Sequence, residues 1–234
     1  MNDRLQQTLP FTTAGNGDLI ARQQRNKVLR NTYWLLALSL IPTVLGAWLG
    51  VATGIFKTMS PGISLMVFLA GAFGLMFVIQ KTKDSAAGVL ALLAFTFFMG
   101  LMLSRLIGVV LGMKNGGDLI MTAMGGTAGV FFVMAALASV IKRDLSGLGQ
   151  WLFVGVLVIF VGAIINIFVG STLGMLVIST LAIGVFSLLM VYDIKRILDG
   201  GETNYITATL ALYLDIFNVF QSLLMILGIT SGDN

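Results

Sequence analysis

Cysteine and histidine are absent from this chain of 234 residues. Their absence excludes disulfides, thiolate or imidazole metal sites, and any chemistry in which a histidine activates a serine or cysteine. Charge is scarce as well: 10% of the residues are Asp, Glu, Lys or Arg, against roughly 25% in an ordinary soluble domain. With 57% hydrophobic residues and a mean hydropathy of +0.98, a water-soluble fold of this length has nowhere to hide its apolar surface. The composition therefore indicates an all-α integral membrane protein whose main partner is the lipid bilayer. The net charge of +4 is too small for a nucleic-acid partner; its distribution carries more information than its size.

A bilayer core of about 30 Å takes roughly 20 apolar residues of helix. Seven such runs are present, at about 32–51, 62–80, 86–111, 118–141, 148–169, 172–193 and 204–228. The breaks between them combine charge with Gly, Ser or Pro: "KTMSPG" (57–62), "QKTKDS" (80–85), "KNGGD" (114–118), "KRDLSG" (142–147) and "LDGGET" (198–203). The break at Gly170-Ser171 carries no charge, so spans five and six are the pair most easily misread as one.

Lysine and arginine alternate by side. Eleven fall in residues 1–30 and in the 2–3, 4–5 and 6–7 loops, whereas Lys57, Arg105 and Lys114 fall on the other side. The positive-inside rule then places the N-terminus in the cytoplasm and, with seven spans, the C-terminus outside. Residues 1–30 are polar and read as a mobile cytoplasmic tail with a short interfacial helix near 19–30, not as a secretory signal. Residues 31–230 form the membrane domain and 231–234 a short C-terminal tail. Of the 28 glycines, those in "MGGTAG" (124–129), Gly71, Gly74, Gly155 and Gly162 read as points of close helix approach. None lies in a phosphate-cradling loop.

Ionisable groups within the bilayer cost about 2.5–3.5 kcal/mol on insertion scales, so each needs a reason. Asp215 stands in "ALYLDIFNVF" (211–220), roughly 15 Å into span seven. Asp193, in "MVYDIKRI", lies roughly 10 Å from the Gly200-Gly201 stop. Antiparallel packing of spans six and seven brings the two carboxyls to similar depth. On span seven, Ala208, Ala211, Asp215, Asn218 and Ser222 make one small or polar stripe; Leu210, Leu214, Phe217 and Leu224 lie opposite and suit lipid or neighbouring helices. Asn166 in span five is a further buried polar candidate, and Tyr192 and Tyr213 are candidate donors to a carboxylate. Two adjacent carboxyls in a low-dielectric interior cannot both ionise cheaply and titrate as a unit. The pair is read either as a helix–helix hydrogen bond with one protonated Asp or as a proton-responsive latch. When both are charged, it is an oxygen site suited to a hard cation such as Ca²⁺. No other cofactor is expected. An aspartyl intramembrane protease needs glycine before its second Asp, and here the residues are "LYLD"; the chain's prolines, Pro10, Pro42 and Pro61, form no Pro-Ala-Leu element. No enzyme activity is expected.

Seven spans, a sixth ending in "YD", a seventh reading "ALYLDIFNVFQSLLMILG", and the segments "KVLRNTYWLLALSL" (27–40), "KRDLSGLG" (142–149), "NIF" (166–168) and "GGETNYITATLALYL" (200–214) together resemble the Bax inhibitor family, over nearly all of residues 27–230. The likeness is to its bacterial branch, which implies a bacterial inner membrane and a role in modulating a membrane AAA protease of the FtsH type. The resemblance also implies six helices wrapped around a central seventh. It further implies a pH-sensitive pair at Asp193 and Asp215, which in family members gates a calcium leak; a pH-gated calcium or proton leak is thus the alternative function. In leak members an arginine of span two pairs with the span-six aspartate. Here span two, "GISLMVFLAGAFGLMFVIQ", carries no charge; Lys81 at its cytoplasmic end is the nearby substitute, and Arg105 lies near the opposite face.

Overall fold

The computed structural model describes residues 11–56 and 59–232. Residues 1–10, Lys57, Thr58 and the last two positions lie outside it, and with them Pro10, the first part of the expected tail and the end of the C-terminal tail. Among the described residues there are seven helices: α1 (Phe11–Thr53), α2 (Pro61–Thr82), α3 (Ala86–Leu111), α4 (Gly116–Val140), α5 (Ser146–Val169), α6 (Thr172–Leu198) and α7 (Tyr205–Gly232). All seven are long and apolar enough to cross a membrane. In hydrocarbon every backbone N–H and C=O must be satisfied within its own segment, which only helices and closed barrels achieve.

The chain punctuates these helices with local chemistry. Pro61 opens α2, where its missing N–H costs nothing. At the uncharged break, Gly170 takes φ +67° and its N–H caps Asn166 O at 2.8 Å, while Ser171 Oγ accepts from Gly174 N at 3.0 Å. A left-handed glycine followed by a serine N-cap is enough to end one helix and begin the next in two residues. Spans five and six are therefore separate, as expected.

The segment expected as a tail with an interfacial helix near 19–30 is continuous with span one: α1 runs 43 residues, about 65 Å at 1.5 Å per residue. No charge-bearing turn or glycine stop separates residue 30 from 31, so the first span's helix propagates outward.

α7 is the centre. No residue between Tyr205 and Ile229 is exposed, and α1, α2, α3, α4 and α6 all pack on it. The stripe Leu210, Phe217, Leu224 is buried against neighbouring helices, not lipid. α5 reaches the bundle through α6 and turns Trp151, Phe153, Val158, Ile165 and Phe168 outward. In lipid, helices associate by close packing instead of hydrophobic exclusion, and the tightest contact joins α1 to α3. A Cβ at Gly46 would land on the Phe97 carbonyl oxygen, one at Gly100 on that of Thr43, and one at Gly50 on the Ser104 side chain. The expected close-approach glycines are uneven. Gly71 packs on Phe98, Gly155 lies close against Val185, Gly162 makes an ordinary contact, and Gly74, Gly125 and Gly129 face open space. Glycine count alone does not say which face of a helix meets a partner.

Candidate functional site: a carboxyl pair on the central helix

Asp215 stands on α7 ten residues past its first residue, at 3% exposure. Asp193 stands on α6, five residues before its end, and is half-buried. α6 continues to Leu198 and stops where Gly200 takes φ +82°, so the antiparallel register brings both carboxyls to one level. The polar group within hydrogen-bonding reach of the Asp215 carboxyl is that of Asp193. Among the described residues no N–H or O–H donor reaches Asp215 Oδ2. Two carboxylates offer only acceptors; a bond between them needs a proton held in common. The arrangement can therefore do two things: keep a proton while the helices are in contact, or, without it, present oxygens to a cation.

The charged groups acting on Asp193 are Arg196 and Glu202, and these pair with each other across the α6–α7 turn at 3.7 Å. Arg196 lies three residues along α6, on the same face of the helix. Lys81 does not reach the pair; its ammonium lies over the Phe77 ring at 5.5 Å. Arg105 is exposed, 3.5 Å from Ser64 Oγ.

The supporting residues separate. Asn218 donates to Leu214 O at 2.7 Å, and Ser222 is buried further along the same stripe. Tyr213 is buried on the opposite side of α7, its hydroxyl 2.9 Å from Thr43 Oγ1 and 3.4 Å from Thr96 O, so it ties α7 to α1 and α3 instead of donating to a carboxylate. Tyr192 packs on Gly149 of α5 and lines a cleft of about 230 Å³ with Asp144, Ser146, Lys195, Arg196 and Asp199. In that cleft the backbone N–H and hydroxyl of Ser146 hold the Asp144 carboxyl below the usual carboxylate range. Asn166 is buried at the far end of α6, against Gly174.

One residue at this end escapes a sequence reading. Asn204 Oδ1 accepts from Ile206 N at 2.9 Å and Thr207 N at 3.2 Å, capping α7, while its Nδ2 donates to Lys83 O at 2.9 Å and Asp84 Oδ1 at 2.8 Å. The same side chain thus starts the central helix and ties the 6–7 turn to the 2–3 loop. The signal was a capping residue ahead of an apolar run. Asn204→Ala removes both functions, and the expected loss is about 1–2 kcal/mol, read as a lower melting temperature in detergent with faster amide exchange at the start of α7.

Comparison with known proteins covers almost the whole chain. The family model described as "Inhibitor of apoptosis-promoting Bax1" matches residues 25–232. "Modulator of FtsH protease YccA" of Escherichia coli is 40% identical over 89% of this chain and 92% of its own length. An uncharacterized membrane protein of Vibrio cholerae is 40% identical over 90% and 93%. An uncharacterized protein of Pseudomonas aeruginosa is 36% identical over 94% and 96%.

Proposed function

This chain belongs to the Bax inhibitor family, and from that premise we propose that it modulates a membrane AAA protease of the FtsH type, with Asp193 and Asp215 as its proton-responsive element. The observation that carries the reading is the carboxyl pair between α6 and the central helix, Asp215 buried and Asp193 half-buried, with Asp215 Oδ2 left without a donor among the described residues. An expensive group retained at the middle of a bundle is a functional group by default. The likeness to a named FtsH modulator, at 40% identity across 89% of the chain, supplies the partner class. The positive-inside bias supports a cytoplasmic N-terminal end of α1 at a bacterial inner membrane, within reach of a cytoplasmic AAA ring. We assign the protein no catalytic step of its own.

The test is proteolysis of a membrane substrate by the purified protease, reconstituted with and without this protein between pH 5 and 8. The expected result is a slower rate with wild type, dependent on pH, and a rate independent of pH with Asp215→Asn. A rate unaffected by wild type at every pH overturns the modulator reading.

A second reading, a pH-gated calcium or proton leak, draws on the same orphaned oxygen, since a deprotonated pair offers oxygens to a hard cation. Its test is Ca²⁺ flux into proteoliposomes over the same pH range, wild type beside Asp193→Asn and Asp215→Asn. Flux whose pH dependence disappears in the variants supports it; no flux at any pH from folded protein ends it.

A further inference from the structure

The α6–α7 turn is gripped from two sides. Asn204 holds it to the 2–3 loop through Lys83 O and Asp84. From the other side the outward extension of α1 lays Arg25 across it. Arg25 Nη1 lies 3.5 Å from Leu198 O, the carbonyl of the last residue of α6. Its stem crosses Gly200, where a Cβ would stand 3.3 Å from Arg25 Nε and 3.5 Å from Cδ. The last carbonyls of a helix have no intrahelical partner and carry the negative end of its dipole, so a guanidinium is suited to that place. Below this contact the extension is anchored: Val28 and Leu29 pack against the core, and the carbonyl of buried Thr32 accepts from Thr209 Oγ1 of α7 at 3.3 Å. Above it, Leu19 and Ile20 are exposed. Among the residues whose side chains are described, Arg25 is the outermost on α1 to bond to the turn.

We propose that Arg25 is a clasp: seated on the end of α6, it fixes the α1 extension to the turn that joins the two aspartate-bearing helices, and lifting it loosens that turn. The geometry supports transmission in both directions, because two of the turn's other charges, Arg196 and Glu202, pair with each other and act on Asp193, while a third, Asp199, is held by Lys195. The biological consequence rests on the modulator reading: a protease drawing on the α1 extension lifts Arg25 and so reaches the carboxyl pair without touching it.

The chain contains no cysteine, so Ile20→Cys and Ser146→Cys accept spin labels without background. In the full-length protein in lipid nanodiscs, the distance between the labels should form one main population. Arg25→Ala should move the balance toward a second, displaced population by roughly two- to fivefold, the bias a cation at a helix C-terminus supplies. Arg25→Lys should recover part of it, since an ammonium reaches the same carbonyl; a general folding defect would show no such recovery. Identical distributions in wild type and Arg25→Ala overturn the clasp. The reconstituted protease assay separates the two claims. If Arg25→Ala displaces the extension yet slows proteolysis as wild type does, coupling to the partner is overturned. If wild type has no effect on proteolysis, the modulator reading fails, and the distances alone decide the clasp.

Discussion

Gly100→Leu should leave no folded protein to measure, while Gly129→Leu should be almost silent. At position 100 a side chain has no flexible neighbour to push aside; it meets the carbonyl oxygen of Thr43 on α1. Backbone cannot yield without separating the helices. Separation would also pull Thr43 from the Tyr213 hydroxyl, breaking a part-buried bond to the central helix. Overpacking a core with movable side chains already costs about 1–3 kcal/mol, and a domain has roughly 5–15 kcal/mol in total. Position 129 faces open space, where the change falls within about 0.5 kcal/mol, the usual range for exposed sites. Size-exclusion behaviour and melting in a mild detergent read both. A Gly100→Leu protein that melts with wild type would sink the α1–α3 contact as described.

The second large effect is expected at Asp215. Asp215→Asn replaces a shared proton with a permanent N–H donor to Asp193, so the α6–α7 contact no longer depends on solvent pH. Wild-type stability should vary between pH 5 and 8 as the proton is held or lost, and the variant's should not. The difference between the two profiles should approach the value of one buried hydrogen bond to a charged group, about 1.5–3 kcal/mol. Asp215→Leu removes the acceptor as well and leaves Asp193 alone, half-buried, with Arg196. Its contact should be weaker, and the pH dependence left should be that of Asp193 alone. Parallel pH profiles for wild type and Asp215→Asn would show that the pair exchanges no proton in that range.

Most of the architecture was legible in the sequence because hydrocarbon leaves few choices. Runs of apolar residues had to be helices, and their breaks carried charge, glycine or serine. Even the two-residue break at Gly170-Ser171 could be read, since a left-handed glycine and a serine cap are local chemistry. Asp193 and Asp215 stood out for the opposite reason, as carboxylates in an apolar setting. Hydroxyls gave no such signal. The hydroxyls of Thr43, Thr209 and Tyr213, with the carbonyls of Thr32 and Thr96, form the seam that fastens α7 to α1 and α3, yet a helical threonine satisfies itself on the carbonyl four residues back, as Thr43 and Thr209 do, and looks ordinary. Partnership of glycines was hidden for a related reason. Gly46, Gly50 and Gly100 do the close packing, whereas Gly125 and Gly129 in the more conspicuous run do not; only the neighbouring helix distinguishes them. The length of α1 was missed because polar composition argues against a span, not against a helix.

The helix around which the others gather is also synthesised after the other six. Chains fold broadly from the N-terminus as they emerge, so α1 through α6 enter the bilayer with the place of α7 unfilled. During that interval Thr32, Thr43 and Asp193 lack the α7 residues they meet in the finished bundle. Assembly cannot conclude until α7 inserts and Asn204 has capped its start. Biogenesis of this molecule thus contains a built-in delay, during which a half-made bundle shows polar groups in hydrocarbon to whatever surveys the membrane. Truncation within α7 should be more damaging than loss of an equal length at the N-terminal end of α1, because it removes the surface on which five other helices rest.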